Sequence, residues 1–471
     1  LSIILPKDKR IFNEVLYLAL PIVASNISRV LMSVVDVAMV GRLGANSLAA
    51  TGMGAMIFWG ALSLVLGIRT AVQTVASRRL GQGLEKESGT ALQNGLIMST
   101  VYGLPVSILG CSLSHQVVPF FIHNGVATPL AISYTSIIFM GLLPSAYSFV
   151  FQGFYTGIEK PKVHLWVTLV SNTLNIYLNV GLIYGTESVS SYLKTYFPSF
   201  YFLSYLWRWI EFPRMEVEGA AIATLVASTI MTLHYFFNLF PKTISSRFKV
   251  FQFSINRSMF KKQIYLALPQ GIQETVIAIG WSMFYKIVGI IGMVELATTE
   301  LLFTIMHASF MPAFGVGQAC STMVSKYMGK KQIDNSISSI KESIRLSEYI
   351  MATIGISFIL FPEYYLLIFT DDLKIISAGT FGLRMIGLVQ FFDAVGFVLW
   401  FALSGAGNTL FPAVVESLLT WIIIVFGGYF LAIKMKMGFY ILWALLPIYM
   451  VSFTSILIWK TYQGDWKDLT V

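Results

Sequence analysis

The chain has 471 residues, of which 56% are hydrophobic and 12% charged, with a net charge of +9. A soluble domain carries about 25% charge, and apolar runs long enough to cross a bilayer recur throughout, so the composition excludes a soluble globular enzyme and indicates a polytopic membrane protein. Lipid cannot hydrogen-bond the backbone, so spans of this length must be helices, and the fold class read from the sequence is all-α.

Helices are predicted near 14–38, 48–76, 89–113, 127–156, 163–185 and 219–240. A second set follows near 263–291, 296–324, 341–362, 375–404, 411–433 and 439–460, twelve spans in all. The polar, basic start of the chain runs directly into the first span, and no cleavable signal peptide is expected. Prolines fall inside spans at Pro21, Pro105, Pro144, Pro269 and Pro312, where each removes a backbone hydrogen bond and can bend its helix. The segment 187–214 is rich in aromatics, including Tyr192, Tyr196, Phe200, Trp207 and Trp209. It reads as an interfacial helix at the headgroups, with a lid over a cavity as the other reading. The stretch 241–262 is basic and reads as a solvated cytoplasmic connector between an N-terminal lobe, 1–240, and a C-terminal lobe, 263–471.

Lysine and arginine test the topology. With the N-terminus inside, 21 of them fall in inside loops and seven in outside loops. The positive-inside rule then puts both termini in the cytoplasm. The same loops beside anionic lipid account for the basic balance without a nucleic-acid partner. Cys111 and Cys320 lie in apolar surroundings and the five histidines are scattered, so neither a disulfide framework nor a metal cluster is read. A membrane-embedded enzyme would need a histidine, cysteine or paired-carboxylate motif. His115, His123, His164, His234 and His307 form none.

The chain repeats itself. Tyr17-Leu18-Ala19-Leu20-Pro21 returns 248 residues later as Tyr265-Leu266-Ala267-Leu268-Pro269. The same offset carries Gly41 to Gly289, Gly44 to Gly292, Gly67 to Gly315, Thr74 to Thr322, Arg78 to Lys326 and Gly81 to Gly329. A constant offset over so many positions is an internal duplication. Each unit holds an even number of spans, so the two lobes are expected to be related by a pseudo-two-fold along the membrane normal.

The copies differ where chemistry is expected. A carboxylate in hydrocarbon costs about 2.5–3.5 kcal/mol on insertion scales, so it normally faces the protein interior. Asp36 has Phe284 as its counterpart, and Asp393 has Ser145, so each half owns one conspicuous in-span aspartate. Asn175 and Asn179 share a helix face near Asn172, and Thr224 adds a hydroxyl in a run of small residues. One carboxylate with amide oxygens suits a small cation or a proton, and interhelical hydrogen bonding alone is the plainer reading. Glu274 is a candidate carboxylate for a cationic substrate or a proton. Arg29, Arg69, Lys286, Arg384 and Glu416 are further in-span charges left without assigned partners.

These residues carry a resemblance. Asp36 with its Gly-x-x-Gly turn, the Asn175/Asn179 pair, Gly219-Ala220-Ala221-Ile222-Ala223-Thr224, Phe391-Phe392-Asp393-Ala394 and Ser404-Gly405-Ala406-Gly407-Asn408-Thr409 together resemble the multidrug and toxic compound extrusion (MATE) family over nearly the whole chain. The resemblance implies two six-helix lobes, alternating access, and export of organic cations in exchange for H⁺ or Na⁺. It implies a cation or proton site at Asp36, Asn175, Asn179 and Thr224, with Na⁺ there the only metal, and a substrate or second coupling site at Glu274 and Asp393. Asn179 departs from members with an aspartate there. The glutamate that some members carry eight residues past the proline is Ile277 here, with Glu274 about one turn earlier. No cofactor is implied. A monomer in the bacterial inner membrane, surrounded by lipid, is expected. The competing reading is a flippase for a lipid-linked saccharide, which would use Arg29, Arg69 or Arg384 in a cationic cavity. It differs in predicting that these face the central cleft.

Overall fold

The computed structural model describes residues 6–122, 125–254 and 256–470, so His123 lies outside the described residues. Twelve long helical segments follow in order: α1 (Lys9–Gly41), α2 (Ala45–Gly81), α3 (Glu85–Phe121), α4 (Ala127–Met140 and Leu142–Gly157), α5 (Pro161–Tyr184), α6 (Glu216–Phe237), α7 (Arg257–Ile291), α8 (Met293–Gly329), α9 (Ile333–Leu360), α10 (Leu373–Ala406), α11 (Leu410–Lys434) and α12 (Phe439–Gln463). Ten qualify as membrane spans by length and composition, counting α4 as one span bent by 47° at Gly141. The other two, α5 and α8, carry many polar residues, such as Asn172, Asn175 and Asn179 or Gln318, Ser321 and Lys326. Packing against protein, not lipid, permits this.

Several helices outrun the spans expected from the sequence. At 1.5 Å per residue, 37 residues of α2 or α8 reach well past a 30 Å hydrocarbon core. The extra turns begin with Ser77 and Arg78 of α2 and run over Ser325–Gly329 of α8, and these residues are buried against protein. The duplication extends to the caps. Asp8 accepts from Arg10 N and Ile11 N at the start of α1, and Asn256, 248 residues on, accepts from Ser258 N and Met259 N at the start of α7.

The first half of α1 crosses into the second lobe: Ile11, Val15, Leu18 and Ile22 share a core with Val316, Met323 and Phe401. The first half of α7 crosses the other way, with Leu266 and Ala267 joining Ile68, Val72 and Phe154. Glycines let the backbones touch at this seam. A Cβ on Gly67 would lie 2.1 Å from Ala267 O, and one on Gly315 would lie 2.6 Å from Val23 Cγ2. Further along, a Cβ on Gly81 would lie 2.1 Å from Lys326 O. Arg78 donates to Ala406 O and Leu469 O, both at 3.0 Å, and Lys326 bridges Glu159 (2.6 Å) and Glu14 (3.2 Å). Toward the other end of the molecule the last hydrogen bond between the lobes, among the described residues, joins Ser63 Oγ and Thr275 Oγ1 at 2.8 Å. Beyond it, a Cβ added to Gly41, Gly44, Gly52 or Gly60 would meet nothing within 4 Å. The lobes are therefore joined at the end bearing the chain termini and part toward the other, leaving a cleft whose floor lies at Ser63 and Thr275.

The stretch between the lobes differs from the solvated connector expected. It forms a short helix, Lys242–Phe248, then folds onto α3. Gln93 Nε2 donates to Val250 O (2.8 Å) and Gln252 O (2.9 Å), and Ser254 N donates to Gln93 Oε1 at 2.9 Å. Phe248 is buried against Phe154. Apolar residues, set among the charges that dominate the stretch, are what dock it. The aromatic segment forms a helix, Thr186–Tyr196, and shorter turns held to the end of α5. Trp207 Nε1 donates to Tyr177 O and Tyr177 Oη to Leu206 O. Tyr196, Phe202 and Trp209 remain exposed, as interfacial aromatics do.

Candidate cation site and cleft

Asp36 lies on a seam between α1 and α5 that is laced at three levels. Asn172 Nδ2 donates to Ser28 Oγ at 2.8 Å, Asn179 Nδ2 to Asp36 Oδ1 at 2.5 Å, and Tyr184 Oη to Met39 O at 2.8 Å. The i, i+4 spacing brings Asn175 into the same cluster, its Oδ1 accepting from Asn179 Nδ2 at 2.8 Å. One amide N–H group thus holds two acceptors together. Asn179 Oδ1 is buried with no partner. Asp36 is half-buried at the cleft end of α1. Thr224 is on α6, which packs on α5, but its hydroxyl donates to Ala220 O at 3.0 Å in its own helix. The structure thus brings together Asp36, Asn175 and Asn179, and gives Asn172 to Ser28.

Tyr134 is a neighbour that sequence alone does not single out. Its ring on α4 packs in one cluster with Met39 and Val40 of α1 and fills the space above Gly54, where a Cβ would meet Tyr134 Cδ1 at 2.5 Å. The mid-helix glycine is the only signal of it in the sequence.

In the second lobe Glu274 and Asp393 share a third buried carboxylate, Glu416, as a neighbour within electrostatic range. Glu416 accepts a hydrogen bond from Gln273 Nε2 and is close enough to Glu274, Asp393 and Tyr449 to act electrostatically on each. Asp393 is 4% exposed and has no hydrogen bond among the described residues. In the sequence Glu416 stands only as an unassigned charge, and nothing there marks Gln273 or Tyr449. Arg29 and Arg69 come together near the cleft floor, whereas Lys286 and Arg384 are exposed elsewhere. Among the described residues no group of three or more His, Cys, Asp or Glu could hold a metal ion. The Asp36 cluster, with one carboxylate, has the chemistry of a monovalent-cation or proton site.

The family model described as MatE matches residues 21–180 and 275–430, one match in each half. A Thermotoga maritima protein described as a probable multidrug resistance protein NorM is 26% identical over 427 residues, covering 88% of this chain and 85% of its own. Among solved structures, an outward-facing multidrug resistance MATE family transporter superposes with a TM-score of 0.86 at 18% identity, covering 98% of this chain and 97% of that one. A Pyrococcus furiosus transporter, described as having a binding pocket of reverse polarity, gives 0.85 at 19% identity with the same coverage. The shared fold is the two-lobe, twelve-helix, all-helical transporter.

Proposed function

Because the chain belongs to the MatE family, whose model matches both of its halves, we propose that this multi-pass membrane transporter is a secondary active multidrug efflux antiporter. It exports organic compounds carrying a cationic centre in exchange for H⁺ or Na⁺. The observation that carries this reading is the Asp36–Asn179–Asn175 cluster, a carboxylate held by amides beside the cleft. Asn179 Nδ2 occupies the space between two oxygens where a cation would sit. Turning the amide over exchanges Nδ2 for the unpartnered Oδ1 and offers three oxygens to an arriving ion. Ion occupancy would change the bonding of α1 to α5, and hence the packing that decides which end of the cleft is open. A lobe boundary at 240 and 263, cytoplasmic termini, a plasma-membrane location and a monomeric state belong to the same proposal. With the termini inside, the conformer described is open outward.

The flippase reading is weaker: Arg29 and Arg69 come together, but Arg384 is exposed and apart from them. The test is efflux of ethidium from proteoliposomes under Na⁺ and pH gradients imposed separately. Asp36→Asn should abolish gradient-driven efflux while the protein stays folded. Wild-type pumping by that variant would overturn the mechanism.

A further inference from the structure

Two arginines lie beside the cleft floor without a hydrogen-bonded counterion among the described residues. Arg29 of α1 is half-buried with its guanidinium 5.7 Å from the Phe149 ring centroid, and Arg69 of α2 is 4% exposed and 6.0 Å from that of Phe314. Among the described residues neither makes a hydrogen bond or an ion pair, and Arg69 Nε is buried without an acceptor. The two converge on one stretch of α4, Arg29 at the Phe149 ring and Arg69 one turn on, where a Cβ on Gly153 would lie 3.3 Å from Arg69 Cγ, and like charges brought together cost more to keep charged. Glu274 acts on Arg69 but forms no ion pair with it.

A buried guanidinium has five N–H donors to satisfy, and a ring face recovers only a fraction of what water or a carboxylate would supply. Neighbouring amides add further unpartnered polar atoms. Asn26 Nδ2, one turn before Arg29, is buried and unpartnered. So is Gln152 Nε2, beside Gly153, whose Cβ would lie 2.4 Å from Arg69 O. The amides can turn to suit a ligand, and for the two guanidiniums, which only donate, the missing complement is an acceptor carrying negative charge. Phe149 and Phe314 provide apolar walls beside it.

We propose that the cleft floor binds an anionic group, a carboxylate or phosphate of an amphiphilic molecule, between Arg29 and Arg69. This deepens the antiport reading, on which it rests, by naming a class of cargo. The acidic group docks on the first lobe's guanidiniums and its ring system lies against the two phenylalanines. The cargo's cationic centre faces Glu274, Glu416 and Asp393 of the second lobe. The anionic group comes either from free cargo or from a bilayer lipid headgroup.

The test is thermal stability of the purified protein with pyrenebutyrate, its methyl ester, phosphatidylglycerol or phosphatidylcholine, in wild type, Arg29→Gln, Arg69→Gln and the exposed control Arg384→Gln. The acid should raise Tm where the ester does not. Its apparent affinity should fall about tenfold or more in Arg29→Gln and Arg69→Gln, as loss of a hydrogen bond to a charged group implies, and stay unchanged in Arg384→Gln. Arginine-dependent stabilisation by pyrenebutyrate identifies free cargo, and the same behaviour with phosphatidylglycerol alone identifies the headgroup. Equal effects of acid and ester together with equal effects of the two lipids, or undiminished binding in both glutamine variants, would overturn the proposal. The wild-type comparison decides even where a variant does not fold. Loss of ethidium efflux with binding intact would count against the transport reading and leave the anion site standing.

Discussion

Asn179 holds the candidate cation site together more directly than Asp36 does, since its single amide nitrogen serves both Asp36 and Asn175. Asn179→Ala should leave two acceptors unpaired, at about 1–3 kcal/mol, and remove any rise of Tm with Na⁺ or with falling pH. Asn179→Asp sets a second carboxylate against Asp36. Like charges so close demand a cation between them. That variant should bind Na⁺ or retain a proton more tightly than wild type, read as a steeper dependence of Tm on Na⁺ or pH. Asn172→Ala discriminates, because its amide is tied to Ser28 and not to the cluster. It should lower Tm without altering ion dependence. The same three asparagines mark how far the sequence can be read. Their helical spacing is visible in it, and so is the isolated carboxylate. Which amide turns to Asp36 and which to Ser28 depends on the rotation of α5 against α1, a long-range packing fact. Thr224 illustrates the limit from the other side: its hydroxyl donates to Ala220 O four residues back and keeps its oxygen lone pairs, and whether these face the cluster is set by the packing of α6 on α5, not by residue type.

At the scale of elements, helix positions are legible because hydropathy and the 248-residue repeat reinforce each other, down to the paired caps Asp8 and Asn256. The ends are not, since the last turns of α2 and α8 are buried by the opposite lobe and not by lipid. The segment from Lys242 to Ser254 misleads for a related reason: its charges are local and its docking partner, α3, is distant in sequence. Two contacts there differ in worth. Arg247 Nη2 and Glu85 Oε1 are 2.5 Å apart but solvent-exposed, and such pairs contribute about 0–1 kcal/mol. Arg247 holds the Glu85 carboxyl below its ordinary range through hydrogen bonding and charge. Its contribution is therefore present above the unfolded carboxylate range and is lost as pH falls through the lowered value. Gln93 instead serves two backbone carbonyls and one N–H. Gln93→Ala should speed amide exchange across residues 249–254 by roughly ten- to hundredfold, corresponding to about 1–3 kcal/mol of local protection. Glu85→Gln should change it several-fold at most, and only at pH above the lowered Glu85 titration. Equal exchange in both variants would mean that charge, not the Gln93 amide, docks the strap.

For the whole molecule, the seam between lobes is built so that it can be made and broken. It joins α1 to α8 and α2 to α7, the equivalent pairs under the duplication, and at Gly67 and Gly315 the fit is so close that no side chain can be added without moving a helix. Between these two apolar contacts, α2 meets α8 on the terminal side through polar groups: Gln73 Nε2 donates to Gln318 O at 2.8 Å and Thr322 Oγ1 at 2.9 Å, and Ser325 Oγ donates to Thr74 O at 2.8 Å. Contacts of this kind can exchange for water on opening at modest net cost, where an equally extensive apolar seam could not. If transport requires the lobes to part at this end, fixing them should stop it. Ser63 and Thr275 face one another at the cleft floor with their hydroxyl oxygens 2.8 Å apart, near enough for cysteines to bridge. In a background with Cys111 and Cys320 replaced by serine and alanine, oxidised Ser63→Cys/Thr275→Cys protein should lose ethidium efflux at least tenfold and regain it on reduction. It should still bind pyrenebutyrate, because the floor remains reachable from the open end. Full efflux by the crosslinked protein would show that the seam at Ser63 and Thr275 stays closed throughout the cycle, and the moving parts would then have to lie within each lobe, at the bend of α4 or the π-type turns between Thr420 and Lys434 of α11.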